Sequence, residues 1–266
     1  MFEFKEHYDI NDLIKIVGIL RSENGCPWDK VQTHKSIRQD FIEEVYEVVE
    51  AIDMDSAEML REELGDVLLQ VVFHSQIKTE ENVFDFEDVC NDVCQKLIIR
   101  HPHVFGEVKV DGCDQVLSNW EQIKQQTKGQ TTYTETLESV PKTFPALMRA
   151  QKVGKRASKS GMDFEDVKSA LERLKSEISE LEAAIDENSP EKIKDELGDV
   201  LFSCTNVARK AGVDSELALT ESTEKFIGRF AKTEELIRLK EIDMKSLGID
   251  ELDEYWKQAK AQNTNH

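Results

Sequence analysis

The chain has 266 residues, and its 54 Asp and Glu residues outnumber its 34 Lys and Arg residues, which gives a formal net charge of −20 at pH 7. A field of this sign repels phosphate backbones and acidic lipid surfaces, so it argues against nucleic-acid and membrane partners and leaves room for a local basic pocket. The length suits two domains of about 130 residues each.

The sequence carries no signal for a membrane or for export. No run approaches the ~18 apolar residues of a membrane span, and the first residues, MFEFKEHYDINDL, do not combine a basic start with an apolar stretch. Five cysteines lack paired CxxC spacing, so we expect buried free thiols in a reducing compartment. Together these features predict a cytoplasmic protein.

Helical periodicity dominates the chain, and no segment shows the sustained alternation of a strand. The predicted fold class is therefore all-α. In the first half we predict an acidic helix over 35–53, a second helix that starts after Ser56 as its N-cap, and a third over 86–100. A Thr-rich segment at 127–141 ends this half.

The second half begins with an amphipathic helix over 144–159. Further on, the polar turn DENSPEK separates two helices, and there Ser189 is the expected N-cap and Pro190 the first helical residue. The segment 216–229 corresponds to the third helix of the first half. Helices joined by turns this short pack antiparallel.

Two stretches repeat one another. FIEEVYEVVEAIDMDSAEMLREELGDVLLQ over 41–70 matches LKSEISELEAAIDENSPEKIKDELGDVLFS over 174–203. Four acids recur at a constant offset of 133 residues, namely Glu44, Glu47, Glu63 and Asp66 in the first copy and Glu177, Glu180, Glu196 and Asp199 in the second. The chain is therefore predicted to be a tandem duplication, with modules at 1–128 and 141–266 and a linker at 129–140.

The spacing of these acids predicts a metal site in each copy. Acids three residues apart share a helix face, so an antiparallel pair brings all four carboxylates together. A hard divalent cation, Mg²⁺, removes their mutual repulsion. The alternative is a pair of solvated acidic faces, and recurrence on two adjacent helices in both copies favours the metal.

Two further features predict close packing of the two helices in each antiparallel pair. Glycine stands in mid-helix at Gly65 and Gly198, where it costs about 1 kcal/mol relative to alanine, so we expect close helix approach there. Aliphatic residues are expected to fill the seam of the first pair, namely Val45, Val48, Val49, Leu64 and Val67.

Each copy also carries a cation pair and a tryptophan in the same order. Lys96 and Arg100 are four residues apart, as are Lys225 and Arg229, and Trp120 and Trp256 follow them. Paired cations suit phosphate oxygens, and a tryptophan can stack on a base. Taken separately, the cation pair could instead form surface ion pairs, and the tryptophan could be a core residue.

The sequence resembles the MazG nucleoside triphosphate pyrophosphohydrolases over nearly its whole length, in their two-module form. The motifs that carry the resemblance are GCPWDKVQTHKSI, the EExxE and ExxD pairs, KLIIRHPHVFG, NWEQIK and PALMRAQKVGKRA. The family implies all-α modules that dimerise and use Mg²⁺ to hydrolyse a nucleoside triphosphate to its monophosphate and pyrophosphate. Its members are associated with the removal of non-standard or excess nucleotides, with broad acceptance of ribo- and deoxynucleotides.

The resemblance also implies roles for individual residues. The eight acids look like metal ligands, while the nucleotide-contacting positions are those of Lys96, Arg100, Trp120, Lys192, Lys225, Arg229 and Trp256. Glu43 and Glu47 are both candidates for orienting the attacking water. Module two has Ser176 where module one has Glu43, which leaves open whether one module or both are active.

Two other functions remain in view. One is a non-catalytic helical dimer that binds nucleotides or a regulatory partner. The other is a pyrophosphatase restricted to one nucleotide, such as dUTP or dCTP. Because small helix pairs leave apolar faces that another subunit would bury, we expect a homodimer in every case.

Overall fold

A computed structural model describes residues 4–127 and 129–262, and within these ranges all regular structure is helical. The fold class is therefore all-α, as predicted. Twelve α-helices occur in the described residues: α1 Ile10–Arg21, α2 Arg38–Asp53, α3 Ala57–Glu80, α4 Phe86–Arg100, α5 Pro102–Phe105, α6 Cys113–Thr127, α7 Tyr133–Glu138, α8 Ala146–Ala157, α9 Val167–Asp186, α10 Pro190–Lys210, α11 Ser215–Arg238 and α12 Ile249–Gln262.

The chain divides into two compact units, residues 1–124 and 125–266. Part of the expected linker, Tyr133–Glu138, forms α7, which packs against α8 in the second unit. The Arg156 guanidinium fastens α7 by donating to the Thr136 carbonyl and, at 2.7 Å, to the Ser139 hydroxyl. None of the described helices is both long and apolar enough to cross a membrane.

In the first unit α2 packs on α3, and α1 packs on the other part of α3. The core contains Val17 from α1, Ile37 just before α2, and three residues of α3, namely Val72, Phe73 and Ile77. Apolar residues three to four positions apart form a stripe that a neighbouring helix can bury. The core thus holds the C-terminal half of α3, while its N-terminal half carries Glu63 and Asp66.

In the second unit α9 packs on α10, α8 packs on α10, and α11 packs on α12. The buried apolar residues of this unit are Val140, Ala170, Ala184, Ile237 and Ala259. The buried Ala184 corresponds in the repeat to the buried Ala51 of α2. A small residue at the same position of both pairs lets their helices approach each other.

The starts of α3 and α10 lie where the sequence predicts them. Ser56 caps α3 through its hydroxyl, which accepts the Met59 amide at 3.4 Å, as predicted. Pro190 is the first residue of α10, also as predicted, but the Ser189 side chain makes no capping hydrogen bond. Ser189 therefore holds the predicted N-cap position, but without the side-chain hydrogen bond to the second or third helical amide that a serine cap normally makes.

Several expectations about packing were wrong. Val45, Val49 and Leu64 are 44–51% exposed, because they lie on a helix face beside the one that carries the acids and Ala51. A Cβ placed on Gly65 or on Gly198 would meet nothing within 4 Å, so neither glycine marks a close approach in the chain.

The cysteines also differ from expectation, since all five are free and none is fully buried. Cys94, Cys113 and Cys204 are exposed on helix surfaces, and Cys26 and Cys90 are half-buried. The expected free thiols are present, but their expected burial is not.

Candidate functional site

The first carboxylate cluster lies between α2 and α3. Glu44, Glu63 and Asp66 are half-buried, and one oxygen of each lies within 4.8 Å of the others. The spacing of three residues puts Glu63 and Asp66 on one face of α3, opposite Glu44 of α2. Glu47 lies beside them, close enough for its charge to raise the pKa of both Glu44 and Glu63.

The charges in this cluster repel one another. Burial, followed by the negative charges of Asp66, Glu47 and Glu63, raises the pKa of Glu44. Burial and the neighbouring Glu47 raise the pKa of Glu63 in the same way. A divalent metal with a preference for oxygen ligands would offset both the burial and the repulsion.

The second cluster repeats this geometry between α9 and α10. Glu177, Glu196 and Asp199 each place an oxygen within 4.8 Å of the others. Burial, then the charges of Glu180 and Asp199, raise the pKa of Glu196. Glu177 is only 4% exposed, and its Oε2 atom is buried without a hydrogen-bond partner. An orphaned carboxylate oxygen that faces two other carboxylates fits a metal ligand.

An arginine distinguishes the second cluster from the first. Arg173 Nε donates to Glu177 Oε1 at 2.7 Å, so one oxygen of this buried carboxylate is already paired with a cation. The corresponding residue of the first copy is Asp40, which has the opposite charge. Arg173 is not among the predicted site residues, although its position four residues before Glu177 is the spacing of a helical ion pair.

The two candidates for orienting water have different surroundings. Both are exposed, but Glu47 lies beside the cluster, whereas Glu43 accepts a hydrogen bond from Gln39 Nε2 at 3.2 Å. In module two the Ser176 hydroxyl donates to Glu180 Oε1 at 3.2 Å. The serine therefore orients the counterpart of Glu47.

The predicted cations of module one lie at the C-terminal end of α4. The Arg100 guanidinium lies 5.1 Å from the centroid of the Trp120 ring, and Lys124 Nζ lies 5.0 Å from it. Arg100 Nε is buried without a hydrogen-bond partner, while Lys96 is exposed. The structure thus brings Arg100 and Trp120 together and adds Lys124, which belongs to the motif NWEQIK but is not among the predicted site residues.

The corresponding residues of module two are arranged differently. The Trp256 ring packs against Phe226, with centroids 5.1 Å apart, and Arg229 Nε is buried without a partner. Lys225 is exposed. Lys192 forms an ion pair with Glu187, whose hydrogen bond and charge raise the pKa of Lys192. The negative charge of Glu196 also raises the pKa of Lys192, so Lys192 lies near the second cluster.

Comparison with known proteins agrees with the repeat. The model of the MazG nucleotide pyrophosphohydrolase domain matches residues 32–105 and 165–233. A Thermotoga maritima protein named nucleoside triphosphate pyrophosphohydrolase/pyrophosphatase MazG is 45% identical over 249 residues, which is 94% of each chain. The nucleoside triphosphate pyrophosphohydrolase of Escherichia coli is 39% identical over 95% of this chain and 97% of its own.

A third relative is a longer protein. The uncharacterized protein YabN of Bacillus subtilis is 42% identical over 255 residues, which cover 96% of this chain but only 52% of that protein.

Proposed function

Since the chain belongs to the MazG family and is a nucleoside triphosphate pyrophosphohydrolase, we propose that it hydrolyses ribo- and deoxynucleoside triphosphates in a Mg²⁺-dependent reaction that removes unwanted nucleotides from the cytoplasmic pool. The products are the nucleoside monophosphate and pyrophosphate. One observation carries this proposal: convergent carboxylates recur at the same positions of both modules.

The ligands of the metal in module one are Glu44, Glu47, Glu63 and Asp66, and in module two Glu177, Glu180, Glu196 and Asp199. Three of each set already lie within 4.8 Å of one another. Mg²⁺, when bound, neutralises the triphosphate and polarises the α-phosphorus.

The remaining residues bind and orient the substrate. The guanidinium of Arg100, whose Nε lacks an acceptor, contacts phosphate oxygens together with Lys96, and Trp120 stacks on the base. In module two Arg229, Lys225, Lys192 and Trp256 have these roles. Water adds to the α-phosphorus, the bond to the bridging oxygen of the β-phosphate breaks, and a cluster carboxylate takes the proton of the water. Glu47, which lies beside Glu44 and Glu63, is better placed for this than Glu43, which bonds to Gln39.

The test is pyrophosphate release from a panel of ribo- and deoxynucleoside triphosphates with Mg²⁺ and with EDTA. We expect release by the wild type that requires the metal. Asp66→Asn and Asp199→Asn each abolish the turnover of their own module, so the double variant is inactive. Glu58→Gln and Glu191→Gln, which remove exposed acids from the first turns of α3 and α10, are matched controls that retain activity.

The outcomes separate the alternatives. Release from every nucleotide without metal would contradict the proposed role of the clusters. Release from a single nucleotide would establish a restricted pyrophosphatase, and no release by the folded protein would establish a binding module.

A further inference from the structure

A cavity of about 330 Å³ lies outside both carboxylate clusters, where α8 meets α10 in the second unit. Its lining combines two cations, Lys142 and Arg149, with the rings of Phe144 and Phe202 and with the small side chains of Ala150 and Val153. Among the described residues, no carboxylate lines it. Because small-molecule sites occupy roughly 300–1,000 Å³, this volume suits one mononucleotide-sized ligand.

Arg149, which lines this cavity, has a side-chain donor without a hydrogen-bond partner. Its Nε atom is buried and has no partner. Of the arginines that the structure describes, only Arg100 and Arg229 share this feature, and both occupy predicted phosphate-contacting positions. An unsatisfied buried donor destabilises a folded protein, and the penalty is larger for a charged group. An acceptor that is absent from the chain itself would remove this cost.

The charge around the cavity is unusual for this chain. In a protein of net charge −20, Lys142 and Arg149 form no ion pair with any described residue. A third cation, Lys152, has its Nζ 5.6 Å from the centroid of the Phe144 ring. The nearby Glu216 accepts the Met148 amide at 3.0 Å and so is engaged at the start of α8, outside the lining.

We propose that this cavity is a second nucleotide site, which binds a nucleoside monophosphate. The phosphate lies against Arg149 and Lys142, because a guanidinium fork and an ammonium together match its oxygens. The base lies between Phe144 and Phe202, since aromatic side chains stack on any base. The motif PALMRAQKVGKRA, which supplies Arg149, thereby gains a function separate from the carboxylate clusters.

The test is equilibrium binding of AMP to the full chain in EDTA, with inorganic phosphate as a second probe. Arg149→Gln and Lys142→Gln are expected to weaken AMP binding at one site per chain by tenfold or more. Lys155→Gln, which removes an exposed cation of α8 outside the cavity, is expected to change it by less than twofold. Phosphate is expected to compete with AMP but to bind more weakly, because it lacks the base.

A second measurement locates the ligand. AMP is expected to slow acetylation of Lys142 severalfold, as followed by mass spectrometry, and to leave Lys155 unaffected. The exposed position of Lys142 makes Lys142→Gln informative even if Arg149→Gln fails to fold. Equal binding by the Lys142 and Lys155 variants, or protection of neither lysine, would overturn the site. Equal affinities for phosphate and AMP would overturn recognition of the base.

Discussion

At the scale of single residues, Arg173 makes the two carboxylate clusters unequal. Its guanidinium is half-exposed and holds the buried carboxylate of Glu177, where module one has Asp40. A cation must compete with this ion pair before it can use both oxygens of Glu177. We therefore predict that module two binds divalent metal more weakly than module one.

Removing the guanidinium should strengthen metal binding in module two. In an Asp66→Asn background, Arg173→Gln is expected to lower the Kd for Mn²⁺, measured by electron paramagnetic resonance without nucleotide, by about tenfold, or about 1.4 kcal/mol. Lys175→Gln is the matched control, because Lys175 pairs with Glu172 instead. An unchanged or higher Kd for Arg173→Gln would contradict the competition.

A second residue-scale prediction concerns acid stability. The hydrogen bond from Arg209, aided by Lys210, lowers the pKa of Asp163 from 3.8 to about 2. Because the folded pKa lies below the unfolded one, this stabilisation is complete at neutral pH and is lost as the pH falls from about 4 through about 2. Asp163→Asn should cost about 1–2 kcal/mol at pH 7, and about half of that at pH 3.

Urea unfolding of the second unit at both pH values checks this expectation. Glu165→Gln, an exposed acid two residues away, should show no such difference. A loss of stability for Asp163→Asn that stayed constant between the two pH values would show that the ion pair is not its source.

At the scale of helices, the close approach in the second unit occurs at Gly154 of α8. A Cβ at this position would lie 2.8 Å from Asn206 Oδ1 and 3.4 Å from Arg209 Nε of α10. Asn206 is buried and bonded to Arg209, so its amide has little room to move. We predict that Gly154→Ala lowers the free energy of unfolding by about 1–3 kcal/mol, through overpacking.

The first unit supplies the matched control. Gly18 follows a valine on α1, as Gly154 does on α8, but a Cβ there would make only an ordinary contact with Gln76 at 3.5 Å. Gly18→Ala should be neutral or should stabilise by up to about 1 kcal/mol, since alanine favours helix. Denaturant titrations of both variants decide the matter, and equal effects would contradict the difference in packing.

At the scale of the whole molecule, the chain exposes 19391 Å². Two compact domains of half its 30.5 kDa mass would together expose about 14,000 Å². Exposed apolar side chains repeat between the modules, as in Leu64 and Leu197, which are 51% and 46% exposed. An excess of this size matches an obligate interface, so we predict a homodimer.

Sedimentation equilibrium should give twice the chain mass for the wild type. Leu64→Glu and Leu197→Glu, which place a charge on the apolar face of each module, should weaken association by at least tenfold. Met162→Glu, a change of the same kind in an exposed loop, should not. A monomeric wild type, or dissociation by all three variants alike, would contradict burial of these faces.

Local sequence signals predict some helix boundaries accurately and others only approximately. The bounds of α4 were predicted to the residue and the start of α3 by its cap, because both depend on residues within one turn. The predicted α2 began at residue 35, whereas it begins at Arg38, since Thr33 and Ser36 exchange side-chain and backbone hydrogen bonds in a turn of their own.

The sequence by itself determined the all-α class, the duplicated helix pairs and the acids that converge in each, because helical periodicity and a constant offset are properties of the linear chain. Only the tertiary structure decided that Arg173 forms an ion pair with Glu177 and that Arg149 lines a cavity together with Phe202. It also decided that two helices approach closely at Gly154 and not at Gly198. The reason is physical. Such contacts depend on how helices far apart in sequence are rotated against one another, and no local pattern encodes that rotation.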